Sequence, residues 1–321
     1  MQILEFEKEI FALENQINDL VSLSRMYDSV GDITHDIAKL QKKLRHMKRD
    51  VFSSLKGWQK TLVARHPDRP YSRDFIDLMF DEFIELNGDR HGGFGPSVVG
   101  GLARFGERSI MVIGHQKGRS NEEKIKRNFG MSKPEGYRKA LRLMKLAEKF
   151  RLPIFTLIDT PGAYPGVDAE EMGQSEAIAM NMFSMIDMRV PIVVTVVGEG
   201  GSGGALAVGV GDRVLMLEHS VYSVISPEGC ASILWGDKKK VETAAEALSM
   251  TAANLLELKV IDEIVREPLG GAHRNHKRAA ILLRKALRAN LASLEKLSIE
   301  ELVDKRHAKF RAMGVFTEAS A

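Results

Sequence analysis

Five short runs of branched apolar residues constrain this chain more than any other feature: Ile110 to Ile113, Ile154 to Ile158, Ile192 to Val197, Val214 to Leu217 and Val221 to Ile225. Each gives way to glycine or proline and then to a helical pattern, and runs so rich in Ile and Val are typical of strands buried on both faces. One helix should begin at Pro134, a residue suited to a first helical position, and turn Leu141, Met144, Ala147 and, near its end, Phe150 inward at three-residue steps. A second should run from about Glu170 to Met185, and a third should begin near Gly203 inside a glycine run. The alternation predicts an α/β domain with adjacent strands and helices packed outside them. Beyond Leu269 and the loop Gly270 to Asn275, the chain reads as charged amphipathic helices.

Ahead of this domain, Ile3, Phe6, Ile10, Leu13, Ile17 and Leu20 alternate three- and four-residue steps, and Ile33, Ile37, Leu40, Leu44, Met47, Val51, Leu55 and Trp58 continue the spacing after a break. Two amphipathic helices follow, folded back as a hairpin with Gly31 and Asp32 in the break. Its apolar stripe must be covered either by the chain's own core or by another subunit. The longest apolar run, Val190 to Val197, contains Pro191 and Thr195 and falls far short of the roughly 20 residues that span a bilayer. Glu5, Glu7 and Glu9 at the start are unlike a secretory signal. Cys230 is the one cysteine, which rules out an internal disulfide and a cysteine zinc site within the chain and fits a reducing cytoplasm. A net charge of +3 does not argue for nucleic acid, although Lys117, Arg119, Lys124, Lys126 and Arg127 form a local basic cluster. That cluster reads either as a solvated face or as a landing site for an anionic ligand, coenzyme A phosphates among them.

Chemistry concentrates in Gly198-Glu-Gly-Gly-Ser-Gly-Gly-Ala-Leu206, which follows a strand and starts a helix. Gly198, Gly200 and Gly203 satisfy the dinucleotide fingerprint, with Glu218 at the distance of a ribose-binding acid, but that fingerprint belongs to the first strand of its domain. Gly200 to Gly204 also fits the nucleophile elbow around Ser202, with Asp212, His219 and His273 as candidate partners, although ten residues between Ser202 and Asp212 leave little room for intervening strands. Asp159-Thr-Pro-Gly162 resembles a GTPase element, yet no phosphate loop accompanies it. Common to both segments is a strand ending in a glycine turn with exposed amides. Two such turns aimed at one point make an oxyanion hole, where each donor contributes about 2.7–4 kcal/mol to transition-state stabilisation. Neither HExxH nor a cysteine–histidine pair or a spaced carboxylate pair offers an alternative chemistry.

These residues resemble a known family. Asp159-Thr-Pro-Gly-Ala-Tyr-Pro-Gly166, Gly198 to Gly209 and Tyr222-Ser-Val-Ile-Ser-Pro-Glu-Gly-Cys-Ala-Ser-Ile-Leu-Trp235 are similar to the α subunits of acetyl-CoA carboxylase carboxyltransferases. So are Gly114 to Arg119, Asn128 to Met131, Pro134 to Arg142, Pro268 to Asn275, Arg65-His-Pro67 and Arg69-Pro-Tyr71. The resemblance implies a crotonase-like α/β spiral of ββα units over residues 61–293, behind an N-terminal helical hairpin at 1–60 and before a C-terminal helical extension at 294–321. It also implies that the chain shares its site with a homologous, zinc-bearing β subunit, in an α2β2 assembly in the cytoplasm, and carries no metal itself.

On this resemblance the amides of Gly204 and Ala205, with Gly162 and Ala163 as the second turn, hold the ureido oxygen of carboxybiotin. The biotin arrives on a biotin carboxyl carrier protein and is not attached to this chain, and ATP is consumed by a separate biotin carboxylase. Acetyl-CoA accepts the carboxyl group to give malonyl-CoA for fatty acid synthesis, with biotin itself removing the acetyl proton. Tyr164, Gly203, Lys117 and Arg119 are candidate substrate-binding residues, and His115 and His273 are candidates for substrate contact from motif loops. Glu228 reads as a helix-capping acid. The alternative is another crotonase-type enzyme, or a serine hydrolase using Ser202.

Overall fold

The computed structural model describes residues 2–26 and 31–314. Eight strands form one sheet: β1 (Phe83–Glu85), β2 (Val98–Phe105), β3 (Arg108–His115), β4 (Ile154–Thr160), β5 (Ile192–Gly201), β6 (Arg213–Leu217), β7 (Val221–Ser223) and β8 (Glu263–Val265). Their order is β1-β2-β3-β4-β5-β6-β8, antiparallel from β1 to β3 and parallel beyond, with β7 paired to the far end of β5. All five runs singled out in the sequence are strands; the fifth ends early, at Ser223, and leaves Val224 76% exposed.

Alternation along the central strands divides the interior into two layers. Phe155 and Leu157 of β4, Val193 and Val197 of β5, and Leu215 and Leu217 of β6 pack with Phe75 and Ile76 and with Leu283 and Leu287 of the helix His276–Leu294. Ile154 and Ile158, Val194 and Val196, and Val214 and Met216 face the other way, onto Ala140, Leu143, Met144 and Ala147 of the helix Pro134–Lys149 and onto Met185. Each large aliphatic side chain so buried contributes about 1.5–3 kcal/mol.

The helix from Pro134 forms as its sequence indicates, but Phe150 does not point inward: it caps the helix and is 61% exposed, because Arg151 turns the chain away at φ 55°. The helix expected from Glu170 to Met185 is two, Val167–Glu171 and Gln174–Asp187, separated where Gly173 adopts φ 80°. Arg306, on the helix Ile299–Arg311, is buried; it pairs with Asp212 at 2.8 Å and donates to the carbonyls of Met185, Met188 and Val190.

At the other end, the helices Lys8–Met26 and Gly31–Ser53 fold back on each other, Glu14 meeting Lys48 at 2.5 Å and Phe6 meeting Phe52 edge-on. Gly31 and Asp32 lie within the second helix rather than in the break. Burial along the hairpin is uneven. Leu4, Ile10, Leu13 and Ile17 are buried against the chain, whereas Leu23 is 45% exposed and Ile33, Ile37 and Leu40 are half-buried. Glu7 fixes the base of the hairpin by accepting from His273 Nε2 at 3.2 Å and Arg274 Nε at 3.0 Å. Burial alone would raise the Glu7 carboxyl, but His273 and Arg274 outweigh it and bring its pKa to about 2.

Candidate active site

The parallel strands β4 and β5 end side by side, Thr160 opposite Gly200, so the turns that follow them meet. Contact between the turns is close enough to dictate glycine. A Cβ on Gly201 would overlap the Pro161 carbonyl, and one on Gly204 would lie 2.6 Å from both the Ala163 nitrogen and the Gly162 carbonyl carbon. Ser202 enters the short helix Ser202–Leu206 at φ 52°, a left-handed conformation that costs a non-glycine residue about 1–3 kcal/mol. Gly204 falls in the first turn of that helix, where amides have no intrahelical acceptor; Ala205 is the first residue for which one, Gly201, stands four positions back.

Side chains lock the facing turn. The Thr160 hydroxyl accepts the Gly162 amide at 3.1 Å and lies 2.7 Å from the Gly162 carbonyl and 2.8 Å from that of Gly130. Gln174 Nε2 donates to the carbonyls of Tyr164 at 2.8 Å and Ser132 at 3.0 Å, and the Tyr164 amide donates to Ser132. These bonds use the amides on either side of Ala163 and leave the Ala163 amide without a protein acceptor among the described residues. The Gly162 amide is therefore taken by Thr160 and the Ala163 amide by no described residue, while Gly204 lies in the first turn of its helix. Thr160 carries no sequence signal beyond its place in the Asp159–Gly166 motif, and Gln174 lies outside the motifs altogether.

Beneath the turns lies a chain of alternating charges. Lys117 Nζ sits 2.7 Å from Asp159 Oδ1 and 3.2 Å from Glu199 Oε2; Glu199 Oε1 accepts from Arg65 Nε at 2.6 Å, and Arg65 continues to Glu228. Burial opposes the charge on Lys117, but Asp159 and Glu199 outweigh it and hold the ammonium above its ordinary pKa. Asp159 also accepts the Glu199 amide at 3.0 Å, and Gly198 passes too close to that carboxylate for any side chain. Lys117 thus holds the end of β5 in place instead of reaching outward for substrate. Arg119 is committed as well, to Asp74, to the Pro67 carbonyl at 2.9 Å and to the face of Tyr71. Glu228 does open the helix Pro227–Trp235, and its carboxylate takes Arg65.

His115 is 1% exposed; its ring lies beside the backbone of Gly204 and Leu157, with neither nitrogen in full hydrogen-bond geometry. Burial lowers its pKa to about 4, so a neutral imidazole backs the turn and does not face a ligand. His273 is buried against Glu7, far along the chain from the turns. Tyr164 is half-buried at the rim, its ring against Gly166 and under Lys133 Nζ at 4.9 Å, and Gly203 has ordinary space toward Ile178. The nucleophile-elbow partners are all engaged elsewhere: Asp212 with Arg306, His273 with Glu7, and His219 edge-on to Phe52 with its amide on Glu267. Ser202 has the backbone of an elbow without a base.

A hollow between Pro161, Gly200, Gly201 and Pro227 holds only about 20 Å³, little more than a water. Apolar side chains stand exposed on the segment that walls it, Val224 at 76%, Ile233 at 74% and Leu234 at 65%. No helix among the described residues is long and apolar enough to cross a membrane.

A mostly parallel sheet whose adjacent strands end in two interlocked amide turns, with no base on Ser202 among the described residues, is the fold of the crotonase-type carboxyltransferases. Transcarboxylase 12S, solved with hydrolysed methylmalonyl-coenzyme A bound, shares the fold with a TM-score of 0.59 at 18% identity, over 74% of this chain and 44% of that one. The β subunit of the geranyl-CoA carboxylase of P. aeruginosa does so with a TM-score of 0.55 at 19% identity, over 78% of this chain and 46% of that one. This chain spans less than half of either.

The chain belongs to the acetyl co-enzyme A carboxylase carboxyltransferase-like family, whose model matches residues 3–314. Relatives named acetyl-coenzyme A carboxylase carboxyl transferase subunit alpha include one from Methylococcus capsulatus, 56% identical over 318 residues, covering 99% of this chain and 98% of the relative. Another, from Geobacter metallireducens, is 56% identical over 315 residues, covering 98% of each.

Proposed function

We propose that this chain forms the carboxybiotin half of a carboxyltransferase site whose other half, which takes acetyl-CoA, comes from a β subunit. The observation that carries the reading is the Ala163 amide, left without an acceptor where its turn locks against Gly204. Carboxybiotin, delivered on a carrier protein, supplies the carboxyl group; the amides of Ala163 and Gly204 hold the ureido oxygen. Negative charge grows on that oxygen as the carboxyl group departs, and donors already fixed by Thr160, Gln174 and the helix start need no reorganisation to meet it. Tyr164 and Gly203 stand at the rim where the ring would enter.

The family's biotin dependence supports a biotin carboxyl carrier protein as the source and a separate biotin carboxylase as the consumer of ATP. The exposed apolar segment from Val224 to Leu234 supports a cleft shared with a second chain, because the hollow on this chain is too small for a substrate; the sequence resemblance makes that chain a zinc-bearing β subunit in an α2β2 assembly. Malonyl-CoA, the product, feeds fatty acid synthesis.

The test is the reverse reaction, carboxyl transfer from malonyl-CoA to a free biotin derivative, by this chain alone and after co-expression with its cognate β chain. Activity is expected only in the pair, and Ser202→Ala should retain it within about threefold, since no base activates that hydroxyl. No transfer by a well-folded pair, or ester hydrolysis by this chain alone, would overturn the proposal.

A further inference from the structure

A second cleft, of about 380 Å³, opens between the helices Pro134–Lys149 and Gln174–Asp187 and the loop that carries Asp89, Arg90 and His91. That loop is pinned to the first helix. Asp89 Oδ1 accepts the amides of His91 at 2.8 Å and Gly93 at 2.9 Å, and Oδ2 takes Arg138 Nε at 3.0 Å. Burial would raise the Asp89 carboxyl, but the two amides and Arg138 outweigh it and hold it below its ordinary value. Arg142 Nε donates to the Gly88 carbonyl at 3.0 Å, and its Nη2 reaches that of Asn87 at 3.2 Å. The one buried acid is therefore fully occupied by scaffold bonds.

The positive charge is not neutralised in the same way, Arg142 being held by backbone carbonyls alone. Arg90 and Lys145 are exposed, and among the described residues no carboxylate forms an ion pair with Arg90, Arg142 or Lys145; Glu176 is the other acid among the lining residues. Burial, and after it the neighbouring Arg90, push the Arg142 guanidinium below its ordinary pKa against the opposing pull of Asp89. Arg90 itself sits at φ 69°, a strained backbone that the Asp89 bonds maintain. Opposite these cations the cleft is apolar, lined by Leu141, Ala177 and Met180.

We propose that this cleft binds a nucleotide-type ligand, its phosphates on Arg90, Arg142 and Lys145 and its planar base on Leu141, Ala177 and Met180. Paired guanidiniums match phosphate oxygens in a way that a single ammonium does not, and the volume lies in the range of small-molecule sites. An acidic peptide would use the cations but leave the apolar wall empty. Of the basic cluster in the sequence, Lys117 and Arg119 are internally paired, whereas Lys124 and Lys126 form no ion pair among the described residues. The proposal does not depend on the carboxyl-transfer reading. The same chemistry belongs to the 3′-phospho-ADP end of coenzyme A and to free nucleotides.

Isothermal titration of the full chain with 3′,5′-ADP, 5′-ADP and inorganic pyrophosphate tests it, with Arg90→Gln/Lys145→Gln and, as a control for general surface charge, Lys124→Gln/Lys126→Gln. The expected result is saturable nucleotide binding that weakens about tenfold or more in the first double variant and with added salt, and is unchanged in the control. Tighter binding of 3′,5′-ADP than of 5′-ADP assigns the coenzyme A end as the source; equal binding assigns free nucleotides. The proposal is overturned by absence of saturable nucleotide binding, by equal loss in both double variants, by an unaffected first variant, or by pyrophosphate binding as tightly as the nucleotides.

Discussion

Replacing Gly204 with alanine adds one methyl group where the two amide turns touch. Its carbon would lie 2.6 Å from the Ala163 nitrogen, whereas ordinary contact begins near 3.4 Å, so the turns must part by about 0.8 Å. An oxygen bound at about 2.9 Å by both amides would then stand about 3.7 Å from one of them, which is no longer a hydrogen bond. Loss of one such donor lowers turnover about 10²–10³-fold, or about 2.7–4 kcal/mol. The neighbouring Gly203→Ala is the control, because its added carbon meets Ile178 at 3.5 Å, an ordinary contact. Both variants, co-expressed with the β chain, would be assayed for transfer from malonyl-CoA to biotin, and their folding checked by thermal denaturation. If Gly204→Ala transfers within threefold of the parent, or Gly203→Ala falls as far as Gly204→Ala, donor placement between these turns is not the basis of the activity.

Lys117→Met should destabilise the chain by about 3–5 kcal/mol, because Asp159 and Glu199 then remain buried without their shared cation; a urea-denaturation loss below about 1 kcal/mol would contradict the ion network. Acid should weaken the fold in two stages. His115 has a folded pKa of about 4 against 6.5 unfolded, so between those values the unfolded chain binds more protons and stability falls as pH drops, by about 3 kcal/mol in full. Glu7 and Glu267, brought to about 2 from 4.5, contribute stability above 4.5 that is lost as pH falls toward 2. Urea midpoints that stay level from pH 6.5 to 4.5 would show that His115 is not held neutral.

The sequence shows the central strands because β4, β5 and β6 are enclosed on both faces, so that all but a few of their positions are apolar. It hides β2, whose middle is Gly100-Gly101: side chains there would collide with Leu143 and with the Ile84 carbonyl, so close packing removes the very residues that would mark a strand. β1 and β8 are three residues each, too short for alternation to register. The glycine turns are legible as backbone donors because only close approach explains glycine at Gly201 and Gly204. Which amides stay open is not legible, since that depends on Thr160 and Gln174 finding carbonyls across the fold. Lys117 reads as a surface cation because its partners, Asp159 and Glu199, lie 42 and 82 residues away. The cationic cleft is hidden for the same reason, with Asp89 and Arg138 49 residues apart.

The ties at the two ends of the chain also govern how it is made. Glu7 waits for His273 and Arg274, some 266 residues later, and Asp212 stays an unpaired acid until Arg306 arrives. A polypeptide emerging from the ribosome can therefore pack the hairpin's apolar cluster, Leu4, Ile10, Phe52, Leu55 and Val63, early in its synthesis, but closes its internal charges only after Arg274 and then Arg306 have been added. Burial of apolar surface thus precedes neutralisation of the buried acids, and Glu7 and Asp212 stay hydrated until their partners are made.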